Sequence, residues 1–360
     1  MGDESAAIME TQNIIRGIEW QAEHCLRNDA PVTARILLAQ RAIMQSDTRC
    51  GLCIANWQGL LLEDAMPLRL AGGFHHLHLT GSDTRLAPIY RGEVSDQAEV
   101  DAIVLAVTRD HDARLLGWFD GPPQTNEAGR SGGIMAGLLW LAERVVPSFE
   151  MLELGASAGI NTMMDRYGYD LGGVRVGPPD SPMQIKPEWR GNPPPVAPFD
   201  IVTIKGCDVS IVDLTDAEAA LRLKSYVWPD TPVRLERIDA AIALAGQCKP
   251  QLEQADAADW VESQLAQPQA QGTTRVLYHS IVWQYLPPET RTRIEAAMGA
   301  AGALATPEKP LAWIMLETNR HTFRHELRVR HWPSGSEWAL LGQAHAHGAW
   351  VEWFGDLAPR

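Results

Sequence analysis

The sequence predicts an α/β protein: a mostly parallel sheet with a C-terminal antiparallel hairpin, preceded by a helical N-terminal domain. Three observations carry this expectation. Residues 151–161, MLELGASAGIN, join a short apolar run to a turn of small residues, and Ile160, Met163, Met164 and Tyr167 then recur at helical spacing. That is the pattern of a buried parallel strand, a tight turn and a helix. Further strand-like runs at 199–210, 251–254, 275–287 and 311–317 are interleaved with helical patterns at 234–245 and 294–303, as in successive βα units. Finally, 326–332 and 338–344 flank Pro333-Ser334-Gly335-Ser336, which reads as a hairpin, and an aromatic strand at 348–354 closes the chain.

Residues 1–145 read as the helical domain and 146–360 as the sheet domain. Ile14, Ile15, Ile18 and Ala22 mark one helix face; Ile36, Leu37, Ala39, Ala42 and Ile43 mark a second, with Pro31 near its start, where proline is tolerated. The pattern continues through 54–62, 68–79 and 100–107. An apolar helix over 134–145, with Thr125 or Asn126 as its N-cap, leads into the first strand. A loop rich in proline and glycine spans 172–198, long enough to be functional or mobile.

With 360 residues, 45% hydrophobic and 21% charged, the chain has the composition of a soluble globular protein with a large core. Its net charge of 31 − 45 = −14 argues against nucleic acid or an anionic membrane as partner, since both need a basic surface. The first twelve residues, MGDESAAIMETQ, lack the layout of a signal peptide, and no apolar run reaches eighteen residues. The expected location is the cytoplasm, and the expected partner is a small molecule.

Candidate chemistry gathers at the ends of the strands. In the first unit the pattern is Glu153-x-Gly155-x-Ser157-x-Gly159, with Ala156 inside the turn and no lysine after it. A dinucleotide site would show G-x-G-x-x-G, and a P-loop would show a terminal Gly-Lys-Ser/Thr. The next strand ends Gly206-Cys207-Asp208, where an acid can take the hydroxyls of a ribose. Asp256 and Ala257 follow the third strand, and Asp259 reads as a helix N-cap. The fourth ends with His279 and Ser280, and Gln284 and Tyr285 lie just beyond; His279 is a candidate general base. The loop Gly121–Ser131 places Gln124, Glu127 and Arg130 together, more than capping requires, and reads as facing a ligand.

The first of these patterns resembles motif I of the S-adenosylmethionine-dependent methyltransferases, E/D-x-G-x-G-x-G, with Ser157 at the middle glycine. The resemblance implies a Rossmann-like methyltransferase-type sheet with S-adenosylmethionine held by Glu153–Gly159, Asp208, Asp256 and Ala257, beside His279. Over nearly its whole length the chain also resembles the bacterial family called domain of unknown function 2332, on GPPQTNEAGRS, LELGASAGIN, GCDVSIVDLTD, YVWPD, Asp256-Ala-Ala-Asp259, HSIVWQYLP and the closing HG-W-EW.

Other motifs have plainer readings. Cys50-Gly-Leu-Cys53 lacks a second C-x-x-C and reads as two reduced thiols on a helix. His75, His76 and His78, and the pair His345 and His347, lack further ligands, so no metal is expected. Trp228-Pro229-Asp230 has no accompanying H-C-x5-R and is not a phosphatase loop.

The leading expectation is a methyltransferase acting on a small or medium-sized molecule, with His279, Tyr285, Glu127 and Arg130 as catalytic candidates. Two alternatives stand beside it. One is a ligand-binding or regulatory protein that has lost turnover, to which Ser157 points; the other is a hydrolase using Ser157 in G-x-S-x-G.

Overall fold

The computed structural model describes residues 13–59 and 64–357. The acidic stretch 1–12 and the end of the 54–62 pattern lie outside the described residues. In chain order the helices are α1 (Ile14–Arg27), α2 (Pro31–Met44), α3 (Arg49–Ala55), α4 (Met66–Leu79), α5 (Ala87–Tyr90) and α6 (Gln97–Leu116). They continue with α7 (Ser131–Ala142), α8 (Ala217–Ser225), α9 (Pro232–Gln247), α10 (Ala257–Ala266) and α11 (Pro288–Ala303).

The chain divides into two compact units: Met1–Thr125 with Asp216–Glu236, and Asn126–Thr215 with Arg237–Arg360. The first is helical, around a core that includes Ile36, Ile43, Ile54, Phe74 and Val104. Residues 216–236 belong to it because α8 packs on α4. The Trp-Pro-Asp segment has a structural task there. Asp230 accepts from the backbone N–H groups of Val32 (2.7 Å) and Thr33 (3.0 Å) and from the Thr33 hydroxyl, so it caps the first turn of α2, whose own N-cap, Ala30, has no side-chain acceptor. The three histidines of α4 are also accounted for: His75 and His78 stack on Tyr90, and His76 lies against Trp118; burial pushes the His75 pKa down to about 4.

The second unit is built on a nine-stranded sheet. Its strands are β1 (Ser148–Leu154), β5 (Glu188–Arg190), β6 (Asp200–Asp208), β7 (Leu252–Gln254), β8 (Thr274–Ser280), β9 (Leu311–Thr318), β10 (His325–Trp332), β11 (Ala339–Ala344) and β12 (Trp350–Trp353), in the order β5-β12-β11-β10-β9-β8-β1-β6-β7. From β7 to β9 all neighbours are parallel. The β9–β10–β11–β12 run is antiparallel, and β5 joins β12 in parallel. The expected α/β class and late hairpin are therefore present. Strands β2 (Gly168–Leu171), β3 (Val174–Val176) and β4 (Gln184–Ile185) form a small second sheet.

Three local expectations are corrected. No α-helix follows the glycine turn: Asn161–Arg166 is a 3-10 stretch, and Tyr167 folds back so that its hydroxyl donates to the Ile160 carbonyl before the chain enters β2. The stretch 172–198 is not one loop, because β3, β4 and β5 all fall within it. And α7, which sequence assigns to the helical domain ending at 145, belongs to the sheet unit. It is buried all round and packs on β2, β9, β10 and β11, the expected place for a helix with no polar face.

Candidate functional site

Strand order fixes where a ligand site is expected. From β1 the chain moves outward through β6 to β7, then returns to β8 on the other side of β1. The carboxyl ends of β1 and β8 therefore border a topological switch point, the usual ligand crevice of open parallel sheets. Leu154 lies in register with Cys207 on one side and His279 on the other, so the glycine turn, Asp208 and His279 come to one edge.

The turn itself is tightly held. Gly155, Ser157 and Gly159 have φ of +66°, +51° and +71°, a backbone region natural for glycine and costly for serine. Ala156 N–H donates to the Cys207 carbonyl (2.9 Å), Ser157 N–H to Asp208 Oδ2 (2.9 Å), and Ile160 N–H to Asn126 Oδ1 (2.8 Å). Asn126 thus anchors the turn; neither it nor Thr125 caps α7, whose N-cap Arg130 makes no side-chain cap. A Cβ on Gly155 would lie 2.4 Å from Val282 Cγ2, so this glycine is required by the segment after β8. The Ser157 hydroxyl is buried without a hydrogen-bond partner.

Beneath the turn, Glu153 is 2% exposed. Its Oε2 lies 3.3 Å from the Tyr278 hydroxyl, which is 3.2 Å from the Asn161 carbonyl oxygen. Burial pushes the Glu153 carboxyl up to about 8, against the opposing bonds from Tyr278 and Asn161, so near neutral pH it holds a proton. Asn161 Oδ1 is likewise buried without a partner.

At the end of β8 the side chains are engaged with one another. His279 is fully buried; its Nδ1 lies 2.7 Å from Glu317 Oε1, and its Nε2 lies 3.0 Å from the Trp313 indole N–H. An indole only donates, so Nε2 must accept and Nδ1 carries the proton toward Glu317. With both nitrogens bonded, this geometry gives His279 a positioning part and leaves no nitrogen for a general base. Glu317 Oε1 also accepts from Val282 N–H (3.1 Å), which fixes Val282 above Gly155; Ile281, just before it, has φ +51°, unusual for a β-branched residue. Tyr285 is 69% exposed at the rim.

Glu127 and Arg130 belong to the same unit but are also committed. Glu127 Oε1 accepts from Gly129 N–H (3.0 Å) and from Arg237 Nη1 (3.1 Å). Arg130 donates from Nε to the Ala346 carbonyl (2.9 Å) and from Nη1 to the Ser280 carbonyl (3.2 Å), tying the end of β8 to the segment before β12. Asp256, not Asp259, is the N-cap of α10, accepting from Ala258 and Asp259 N–H, while Ala257 is buried behind it.

Sequence reasoning missed Glu317, Tyr278, Asn161, Arg237 and Val282. Only Glu317 carried a signal: it is an acid near the end of the apolar run LAWIMLE, at the same sheet edge as the other candidates.

Asp208 is the group at this edge whose lone pairs could receive hydroxyl donors, as a ribose would present. That carboxylate is partly exposed and takes one backbone donor on each oxygen, from Ser157 and from Ser210, so each keeps a lone pair for a hydroxyl. The unpartnered Ser157 hydroxyl lies on the residue that Asp208 grips. Among the described residues no group of three or more His, Cys, Asp or Glu is placed to hold a metal ion, and no helix is long and apolar enough to cross a membrane.

Compared with known proteins, the chain matches over residues 16–353 the family model described as "Uncharacterized protein conserved in bacteria (DUF2332)". No curated protein and no solved structure matches it.

Proposed function

We propose, for a chain that belongs to the DUF2332 family, that the carboxyl edge of β1, β6 and β7 binds S-adenosylmethionine and serves methyl transfer to a small or medium-sized molecule. The observation that carries this reading is the hydrogen bond from the positive-φ residue Ser157 to Asp208, which couples the turn after β1 to the acid at the end of the next strand. Asp208 would take the ribose hydroxyls, and Asp256 with Ala257 would border the base. The cofactor, when bound, supplies an activated methyl group. The chain's own part is alignment and exclusion of water: Val282 covers Gly155, and Tyr285 stands at the rim where an acceptor would enter. The test is production of S-adenosylhomocysteine from S-adenosylmethionine in the presence of pooled small-molecule acceptors. Product that forms with the intact protein and is lost in Asp208→Ala supports the reading; no product with any pool counts against turnover.

A second reading, a ligand-binding or regulatory protein without turnover, is favoured by one observation: His279, Glu127 and Arg130 are all held in internal bonds. Binding of the cofactor without its consumption would select it. The hydrolase reading lacks support, because among the described residues the Ser157 hydroxyl has no hydrogen-bond partner that could act as its base.

A further inference from the structure

Strand β6 is open along most of its outer edge. On its inner side β1 pairs with it from Asp200 to Cys207, but on the outer side β7 pairs only with Gly206–Asp208. Among the described residues no strand lies beside Asp200–Lys205 on that side. The segment is accessible: Asp200 and Thr203 are exposed, and Val202 is 51% exposed. The backbone faces outward at two places. Asp200 N–H donates to the Pro147 carbonyl, toward β1, while Gly206 N–H donates to the Gln251 carbonyl, away from it. Phe149 pairs with Ile201 and Glu150 with Thr203, so Val202 is bulged from the ladder. Alternation from either end then turns the N–H and C=O groups of Ile201 and Ile204 to the open edge. Such an edge is a template for another strand unless it is covered or guarded.

The side chains of this segment complement one another. Asp200-Ile201-Val202-Thr203-Ile204-Lys205 has an acid at one end, a base at the other, and an isoleucine inside each. Asp200, Thr203 and Lys205 are in register with Ser148, Glu150 and Leu152, and Ile201 and Ile204 with Phe149 and Met151. The charged pair therefore shares one face of the sheet and the isoleucines share the other. Laid antiparallel, two copies set Asp200 opposite Lys205 of the second copy, Ile201 opposite its Ile204, and bulge opposite bulge. Neither charge is spent within its own chain: Asp200 accepts from the Ser148 hydroxyl, and neither residue has an ion pair among the described residues. A lysine commonly guards an edge strand by repulsion, but here it meets an aspartate. Sliding the pairing by two residues would put Asp200 opposite Thr203 and lose both ion pairs, so one register is favoured.

We propose that this edge is a homodimer interface: two copies of the chain pair β6 to β6 through Asp200–Lys205, antiparallel about a two-fold axis, and join their sheets into one. A second copy is the occupant because it brings the complementary charges and the matching bulge at once. The interface does not rest on the methyl-transfer reading, and Asp208 lies beyond the ladder. A pairing this short is at the low end of interface size, so dissociation in the micromolar range is expected.

The test is sedimentation equilibrium of the full chain over a concentration series, with melting temperatures to confirm that every variant is folded. The wild-type protein is expected to pass from monomer to dimer. Asp200→Lys and Lys205→Asp each set like charges opposite one another, and each should weaken self-association about tenfold or more. Mixing the two variants sets lysines opposite aspartates again and should restore a dimer that contains one chain of each. A loss of dimer through local misfolding would not be repaired by mixing. A wild-type protein that stays monomeric at every concentration, undiminished self-association in both variants, or a mixture of the two that stays monomeric would each overturn the proposal.

Discussion

The backbone N–H of Ser157 donates to Asp208 Oδ2 at 2.9 Å, so the turn leaving β1 is clamped to the end of the adjacent strand. The second Asp208 oxygen accepts from Ser210 N–H. Asp208→Asn replaces one acceptor by a donor that faces an N–H. The expected loss is about 1–3 kcal/mol in a urea titration; an unchanged midpoint would show that the clamp is not formed.

Glu153 predicts a pH dependence. Its folded-state pKa, about 8, lies above its ordinary value of 4.5, so the folded chain keeps a proton that the unfolded chain releases. Stability from this residue is full below about 4.5, falls as pH rises from there to about 8, and is flat above. Glu153→Gln removes the titration while keeping a neutral side chain beside Tyr278. Its melting temperature should therefore gain on that of the wild type between pH 5 and pH 8; parallel curves would contradict this.

Gly155 and Val282 should be coupled. Gly155→Ala forces a Cβ into a position at φ +66° that lies 2.4 Å from Val282 Cγ2. The backbone strain alone is worth roughly 1–3 kcal/mol. Val282→Ala removes the facing methyls, so the double variant should be more stable than the sum of the two single effects. Additive losses would mean that Val282 does not cover the turn.

His279 is predicted to act through structure. His279→Ala leaves the Trp313 indole N–H without its acceptor and Glu317 Oε1 with only the Val282 N–H as donor, in a buried site, at a cost of about 2 kcal/mol. Loss of turnover with wild-type stability would instead identify a base.

The parts of this fold that the sequence makes legible are those in which one physical requirement dominates. Met151–Leu154 (Glu153 apart), Val276–Tyr278 and Leu311–Leu316 are apolar because both faces of their strands are covered, and they read as strands for that reason. The stretch Ile160–Tyr167 misleads because its apolar positions satisfy helical spacing, although Tyr167 and Gly168 carry the chain into β2. The strands β2 to β5 are too short to show a period of two and exist through pairing, as in Tyr169 opposite Val176. The place of Asp208 at the end of β6 is legible from the Gly-Cys-Asp ending. The partners of His279 are not, because Trp313 and Glu317 approach it only once β9 lies beside β8. Asp256 and Asp259 are equally good caps by residue type, and only backbone geometry chooses between them.

The measurement that bears most directly on the central claim is calorimetric titration of the full chain with S-adenosylhomocysteine, beside Asp208→Ala, at a temperature where both proteins are folded. The account predicts saturable binding to the wild-type protein, weakened about tenfold or more by the substitution, as expected for loss of a carboxylate that holds two hydroxyls. Absence of saturable binding to the wild-type protein, or equal affinity in the two proteins, would contradict it.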